Sequence, residues 1–291
     1  MVSERFSKHS FFTVSAVLFI ASVALTILWS ASMPAMGMPM PGGWTMSMTW
    51  MRMPGQTWPG AALSLLGMWI VMMVAMMLPC VVPALWRYRQ AIARTGERRP
   101  GRLAAVVGFG YFFVWTMFGI IVLPLGFALA AVEMKQPAVG RAVPIAAGVV
   151  VLIAGALQFT AWKAHHLACC REAPGGDGRL PASARVAWRQ GLRLGLHCGY
   201  CCAGLMAILL VIGMMDLGVM AVVTAAMAVE RVAPGGERVA RATGAVAVAV
   251  GLFLIARTAQ AVVQAAAGMA LISMLTAASG GLTPQGPLLK F

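Results

Sequence analysis

Long apolar runs, most of them close to 20 residues, recur along the chain and are separated by short polar segments. Runs of that length match the roughly 30 Å hydrocarbon layer of a bilayer when they are helical, and helices satisfy their own backbone polar groups there. The pattern therefore predicts an all-α polytopic transmembrane helix bundle of about seven spans, within a range of six to eight. The expected spans are residues 11–31, 60–86, 103–132, 143–162, 194–215, 217–230 and 242–262.

Two apolar runs leave their structure open. The run at 217–230 is short, which fits a tilted or partly re-entrant helix. The run at 263–281 is rich in small residues and fits either an eighth span or an interfacial helix. The pattern divides the chain into an N-terminal span (1–32), a methionine-rich segment (33–59), a membrane domain (60–262) and a C-terminal apolar segment with its tail (263–291).

Charge distribution predicts the orientation. Only 10% of residues are charged and the net charge is +14, yet 17 of the 22 basic residues lie in alternate segments between the spans. The positive-inside rule makes that side cytoplasmic, so the N-terminus is inside and the methionine-rich segment is outside. We expect a multi-pass protein of the bacterial inner membrane. Its positive charge is explained by the lipid bilayer, and no nucleic-acid partner is expected. The first run lacks a convincing signal-peptide cleavage site and is retained as a span.

The methionine-rich segment raises the question of chemistry. Eight methionines lie within 21 residues that proline and glycine interrupt too often for a packed helix. Their thioethers provide either an apolar surface or soft metal ligands. The candidate ligands are Met33, Met36, Met38, Met40, Met46, Met48, Met51 and Met53.

The second span carries two further methionine stripes. Met68, Met72 and Met76 repeat every four residues on one helical face, and Met73, Met77 and Cys80 form a neighbouring stripe. The stripes fit lipid or helix packing as well as a metal path, with Met76, Met77 and Cys80 as candidate ligands. Pro79 and Pro83 are expected to loosen the helix around Cys80.

Six cysteines, all at or near the expected cytoplasmic face, are predicted to be reduced thiols. Cys198, Cys201 and Cys202 open the fifth expected span, where a helix N-terminus would favour thiolate. Met206 continues their stripe. At the end of the fourth span, two pairs share a helical face: His165 with Cys169, and His166 with Cys170. Cysteine and histidine suit copper or zinc, whereas ordinary packing is the alternative.

Two acidic residues lie near the ends of spans. Asp216 follows Met214 and Met215 and is expected either to cap a helix or to join an outer entry site with these methionines. Glu230 is expected to be either a metal ligand or one half of an ion pair with Arg231.

Four segments resemble a bacterial family described as predicted metal-binding integral membrane proteins, whose function is not established. The segments are 68–79, 158–171, 198–220 and 230–236, and the resemblance extends over about 60–255. It implies a shared metal site. The residues it implicates are Met76, Met77, Pro79, Gln158, Lys163, Cys170, Cys198, Cys201, Cys202, Met206, Met214 and Glu230. The chain departs from the family pattern at Cys80, and at His166, where cysteine is common.

The function predicted from these features is Cu(I) handling, with capture by the outer methionines and transfer to an inner Cys/His cluster. Zinc is the second candidate metal. Expected partners are a periplasmic copper carrier or a copper enzyme. One alternative is a transmembrane thiol–disulfide electron carrier, suggested by the sequences around Cys80 and at 198–201. A further alternative is a subunit of a copper-dependent membrane oxidase or monooxygenase. No His-box, carboxylate dyad or nucleophile elbow is present, so a hydrolase is not expected, and an enzyme is the less favoured class.

Overall fold

A computed structural model of the protein describes residues 2–32, 38–41, 43–46, 55, 57–97, 99–171, 183–214 and 216–279. Within these residues the chain is almost entirely helical, which confirms the predicted all-α fold. The helices are α1 (Val2–Ser32), α2 (Trp58–Ala93), α3 (Pro100–Lys135), α4 (Pro137–Leu157), α5 (Ala161–Arg171), α6 (Ala184–Ile212), α7 (Leu217–Val232) and α8 (Gly236–Ser279). A hairpin of β1 (Met38–Met40) and β2 (Trp44–Met46) follows α1.

Six of the described helices are long and apolar enough to cross a membrane: α1, α2, α3, α4, α6 and α8. The run at 217–230 forms α7, whose 16 residues extend about 24 Å at 1.5 Å per residue. That length is shorter than the roughly 30 Å hydrocarbon layer. The six long helices lie within the predicted range, and the protein is built to reside in a membrane.

The C-terminal apolar run is a continuation of the last helix. Residues 263–279 extend α8, which is 44 residues long and about 66 Å from end to end. Side chains at 259–276 are all exposed, so this half of α8 lies outside the bundle. The sequence left an eighth span or an interfacial helix open here, and neither forms as a separate element.

Helix α2 lies at the centre of the bundle. Its buried side chains include Met68, Met72, Met73, Met76 and Met77, all of which are at most 3% exposed. Both methionine stripes therefore face the protein interior, which excludes the lipid-facing alternative. The helix continues through Pro79 and Pro83, and neither proline has an N–H to donate to the preceding turn.

A glycine stripe brings α6 close to α3. Gly191, Gly195 and Gly199 recur every four residues, and a Cβ at any of them would collide with α3. For Gly199, the added Cβ would lie 2.7 Å from the Phe118 ring. Small residues at this spacing allow the backbones of membrane helices to approach closely. The close approach places Tyr111 of α3 against the cysteines of α6.

Candidate metal centre

Helix α6 positions three cysteines in the bundle interior. Cys198, Cys201 and Cys202 are 0%, 3% and 2% exposed, respectively. The sequence predicted that they open a helix, but α6 begins at Ala184, fourteen residues before Cys198. The prediction was wrong because the helix continues through the basic residues that precede the apolar run. The free N–H groups of a helix N-terminus therefore do not act on these thiols.

Five sulfur atoms from three helices form a continuous row. Cys198 Sγ lies 3.9 Å from Met77 Sδ of α2 and 3.9 Å from Cys202 Sγ. Cys202 Sγ lies 3.6 Å from Cys201 Sγ, and Cys201 Sγ lies 3.8 Å from Cys170 Sγ of α5. We call these five residues, in the order Met77, Cys198, Cys202, Cys201 and Cys170, the sulfur row. All six cysteines of the chain are free thiols.

The spacing of neighbouring atoms in the sulfur row matches that of two ligands in a tetrahedral metal site. Two sulfur ligands about 2.3 Å from one ion lie about 3.8 Å apart when the angle at the metal is tetrahedral. Successive atoms in the row are separated by 3.6 to 3.9 Å, which brackets that value. Among the described residues, no group of three or more His, Cys, Asp or Glu side chains is arranged around one point as a metal cage. The contacts that define the sulfur row therefore each join two sulfur atoms.

Polar and charged groups surround the sulfur row. The Tyr111 hydroxyl lies 2.9 Å from Cys198 Sγ. Lys163 Nζ donates to the backbone oxygen of Cys201 at 2.6 Å and forms an ion pair with Glu230 at 2.7 Å. Arg231 Nη2 lies 3.8 Å from Cys201 Sγ. The interior around the thiols therefore contains the ion pair of Lys163 with Glu230, and also the Arg231 guanidinium, for which the described residues provide no carboxylate within 4 Å.

Cys170 connects the interior to the short helix α5. Its thiol is 5% exposed and is hydrogen-bonded to the Cys201 thiol. This hydrogen bond and burial both raise the pKa of Cys170 above that of an ordinary cysteine, although Arg231 opposes the shift. Without a metal ion, Cys170 is therefore a neutral thiol at neutral pH.

The histidines lie beside the sulfur row and not within it. His166 Nδ1 is 3.1 Å from Nδ1 of His197, and both rings are half-buried. His165 is exposed, and its Nε2 lies 3.7 Å from Cys169 Sγ. The Cys/His end predicted as one cluster therefore divides, with Cys170 in the sulfur row and the other three at its edge.

Other candidate residues have separate surroundings. Cys80 and Met206 are buried in the same core as the sulfur row. Met214 is 2% exposed, and the core also contains Met220 and Met227 of α7. The buried methionines of the core thus include two on α7, where the sequence analysis named no methionine ligand.

Both acidic candidates have structural partners. Asp216 is the N-cap of α7, and its carboxylate accepts a hydrogen bond from the Val219 N–H at 3.0 Å. Glu230 pairs with Lys163, whereas the sequence suggested Arg231 as its partner. Gln158 Nε2 donates to the other carboxylate oxygen of Glu230 at 3.5 Å.

Three methionines of the methionine-rich segment lie in the hairpin. Met40 and Met46 are 8% and 2% exposed and pack on Ala130, whereas Met38 is exposed. Trp44 attaches the hairpin to α4 by donating a hydrogen bond to the Gly140 oxygen at 2.8 Å. The other five, Met33, Met36, Met48, Met51 and Met53, lie outside the described residues.

The sequence analysis missed Tyr111 and His197 at the site, and it considered Arg231 only as an ion-pair partner of Glu230. Tyr111 comes from a helix with no metal-ligating motif, so nothing in the linear pattern marked it. His197 could have been found from the sequence, because it directly precedes Cys198. In the structure it contacts His166. Lys163 and Gln158 were implicated only through the family resemblance.

Comparison with known proteins identifies the family. Residues 66–254, more than half of the 291-residue chain, match the PpoB2 family, which is described as a copper chaperone. No curated protein and no solved structure matches the chain. The metal-related character implied by the resemblance is thus supported, and the family description specifies copper. The chain belongs to the PpoB2 copper chaperone family.

Proposed function

We propose that the protein binds Cu(I) as cargo inside its helix bundle and passes the ion to a partner protein. The observation that carries this proposal is the sulfur row, in which neighbouring atoms from α2, α5 and α6 lie 3.6 to 3.9 Å apart. Thiolate and thioether ligands are soft and select Cu(I). The copper chaperone description of the family supports the same ion.

The arrangement in a row suits transfer of the ion. An ion bound to one pair of sulfur atoms gains a bond to the next atom of the row while its bond to the preceding atom breaks. Copper remains Cu(I) throughout. The thiol that becomes a ligand gives up its proton, and the thiolate that the ion leaves takes one up. The thioether Met77 lies at one end of this path and the Cys170 thiol at the other. The half-buried pair of His166 and His197 provides borderline ligands next to the path, where a partner has access.

The experiment that tests the function is copper X-ray absorption on the purified protein loaded with one equivalent of Cu(I) under reducing conditions. We expect a shell of sulfur atoms at about 2.3 Å, the usual metal–thiolate distance. The bound ion should also slow alkylation of the buried cysteines. A shell of nitrogen or oxygen atoms alone would contradict the proposal. Metal-free protein with a reversible disulfide in cells, for example between Cys198 and Cys201, would instead support the thiol–disulfide electron carrier.

We further propose that the N-terminus and the loop between α2 and α3 face the cytoplasm of a bacterium, because basic residues concentrate there. In this orientation the methionine-rich segment faces the periplasm, where it captures Cu(I) or receives it from a periplasmic carrier. We expect a reporter enzyme fused at Gly43 to be exported and one fused at Gly96 to remain internal. An exported reporter at Gly96 would reverse the orientation and the proposed direction of capture.

A further inference from the structure

Arg231 places a positive charge beside the sulfur row. It lies in the last turn of α7, its side chain is 9% exposed, and its Nη2 is 3.8 Å from Cys201 Sγ. Its Nε has no hydrogen-bond partner among the described residues. A guanidinium keeps its charge in proteins, so burial cannot be relieved by loss of a proton.

A buried cation requires an opposite charge nearby. In the described part of the chain, Glu230 forms an ion pair with Lys163. No carboxylate there lies within 4 Å of the Arg231 guanidinium. Tyr111 contributes a hydroxyl that is hydrogen-bonded to Cys198. The acidic groups that face Arg231 are therefore the thiols of the sulfur row, and Cys201 is the one that its Nη2 contacts.

We propose that Arg231 is the counter-charge of the metal-loaded site and makes it selective for a monovalent ion. This inference rests on the proposed function. Cu(I) held by two thiolates carries one net negative charge, which Arg231 neutralises. A divalent ion such as Zn²⁺ on the same two thiolates is neutral, so the charge of Arg231 is left unbalanced in the interior. Arg231 also repels a divalent ion about twice as strongly as a monovalent one at the same distance.

The test compares Cu(I) and Zn²⁺ affinities, each measured by competition with a chelator, in the wild type and in three variants. We expect Arg231→Gln to lower the ratio of Cu(I) to Zn²⁺ affinity by about tenfold or more, because the repulsion that disfavours the divalent ion is gone. Arg231→Lys keeps the charge and should keep most of the ratio. Arg171→Gln is the matched control, since Arg171 donates to the backbone oxygens of Glu230 and Ala233 and touches no sulfur atom in the described contacts.

The failure of this inference differs from failure of the proposed function. Wild-type protein that binds no Cu(I) through sulfur would overturn the function. Normal Cu(I) binding with an unchanged affinity ratio in Arg231→Gln would overturn the role of Arg231 alone. If Arg231→Gln does not fold, Ag(I) and Cd²⁺ are compared on the wild type, because both are soft ions and they differ in charge. We expect the ratio of Ag(I) affinity to Cd²⁺ affinity to be far higher for the protein than for a neutral dithiol chelator. An equal ratio for the two would contradict the proposal.

Discussion

Replacing Cys198 or Cys202 by serine is expected to lower Cu(I) affinity by more than about 100-fold. Changes to residues that only support a ligand already cost about 10 to 100-fold in metal affinity, and loss of a ligand should exceed this. Cys202 lies between Cys198 and Cys201 in the sulfur row, so its loss interrupts the row at its middle. Serine preserves the size of the side chain while replacing a soft ligand by a hard one.

The measurement is Cu(I) competition with a chelator, together with the copper content of the purified protein. The matched control is Cys169→Ser, because Cys169 lies at the edge beside His165 and outside the sulfur row. We expect this variant to bind Cu(I) nearly as the wild type does. Equal losses at Cys169 and Cys202 would show that the geometry of the sulfur row does not decide binding. Full retention of copper in both Cys198→Ser and Cys202→Ser would make these cysteines ordinary packing residues.

Glu230→Gln is expected to destabilise the protein by about 3 to 5 kcal/mol, the range for removing one partner of a buried ion pair. The Glu230 and Lys163 side chains are 2% and 4% exposed and lie 2.7 Å apart. The variant leaves Lys163 charged in the interior, where it still donates to the backbone oxygen of Cys201.

Unfolding of the detergent-purified protein by heat or denaturant measures this effect. Glu237→Gln is the control, since Glu237 lies exposed in the first turn of α8 and should change stability by no more than about 0.5 kcal/mol. The double variant Lys163→Met with Glu230→Leu removes both charges and should recover most of the lost stability. If the double variant were as unstable as Glu230→Gln, the loss would come from shape and not from the unpaired charge.

The resemblance and the local motifs predicted much of the candidate site. They did not predict which of the named residues join the sulfur row and which lie at its edge. Cys198, Cys201, Cys202 and Cys170 were all named, and the structure brings them together. His165 and His166 were named with them, yet both lie at the edge. The spacing of residues along α5 shows which of them share a face. It does not show which of those faces meets α6.

The sequence also did not predict which charged side chains pair with each other. Glu230 and Arg231 are neighbours in the chain, which suggested an ion pair between them as the alternative to a ligand role for Glu230. In the structure Glu230 pairs with Lys163 of α5, 67 residues earlier, and Arg231 is left facing Cys201. Adjacent residues on a helix point about 100° apart, so they can meet different neighbours, and only packing decides which.

The sequence by itself determined that this protein is an all-α membrane bundle, because long apolar runs have few other stable structures in a bilayer. It also determined that soft ligands are concentrated in a few short segments, since composition alone shows this. The tertiary structure decided the order of the sulfur atoms, the burial of both α2 stripes and the position of Arg231. These depend on how closely helices approach, and the glycines at 191, 195 and 199 set that distance between α3 and α6 through contacts remote in the chain.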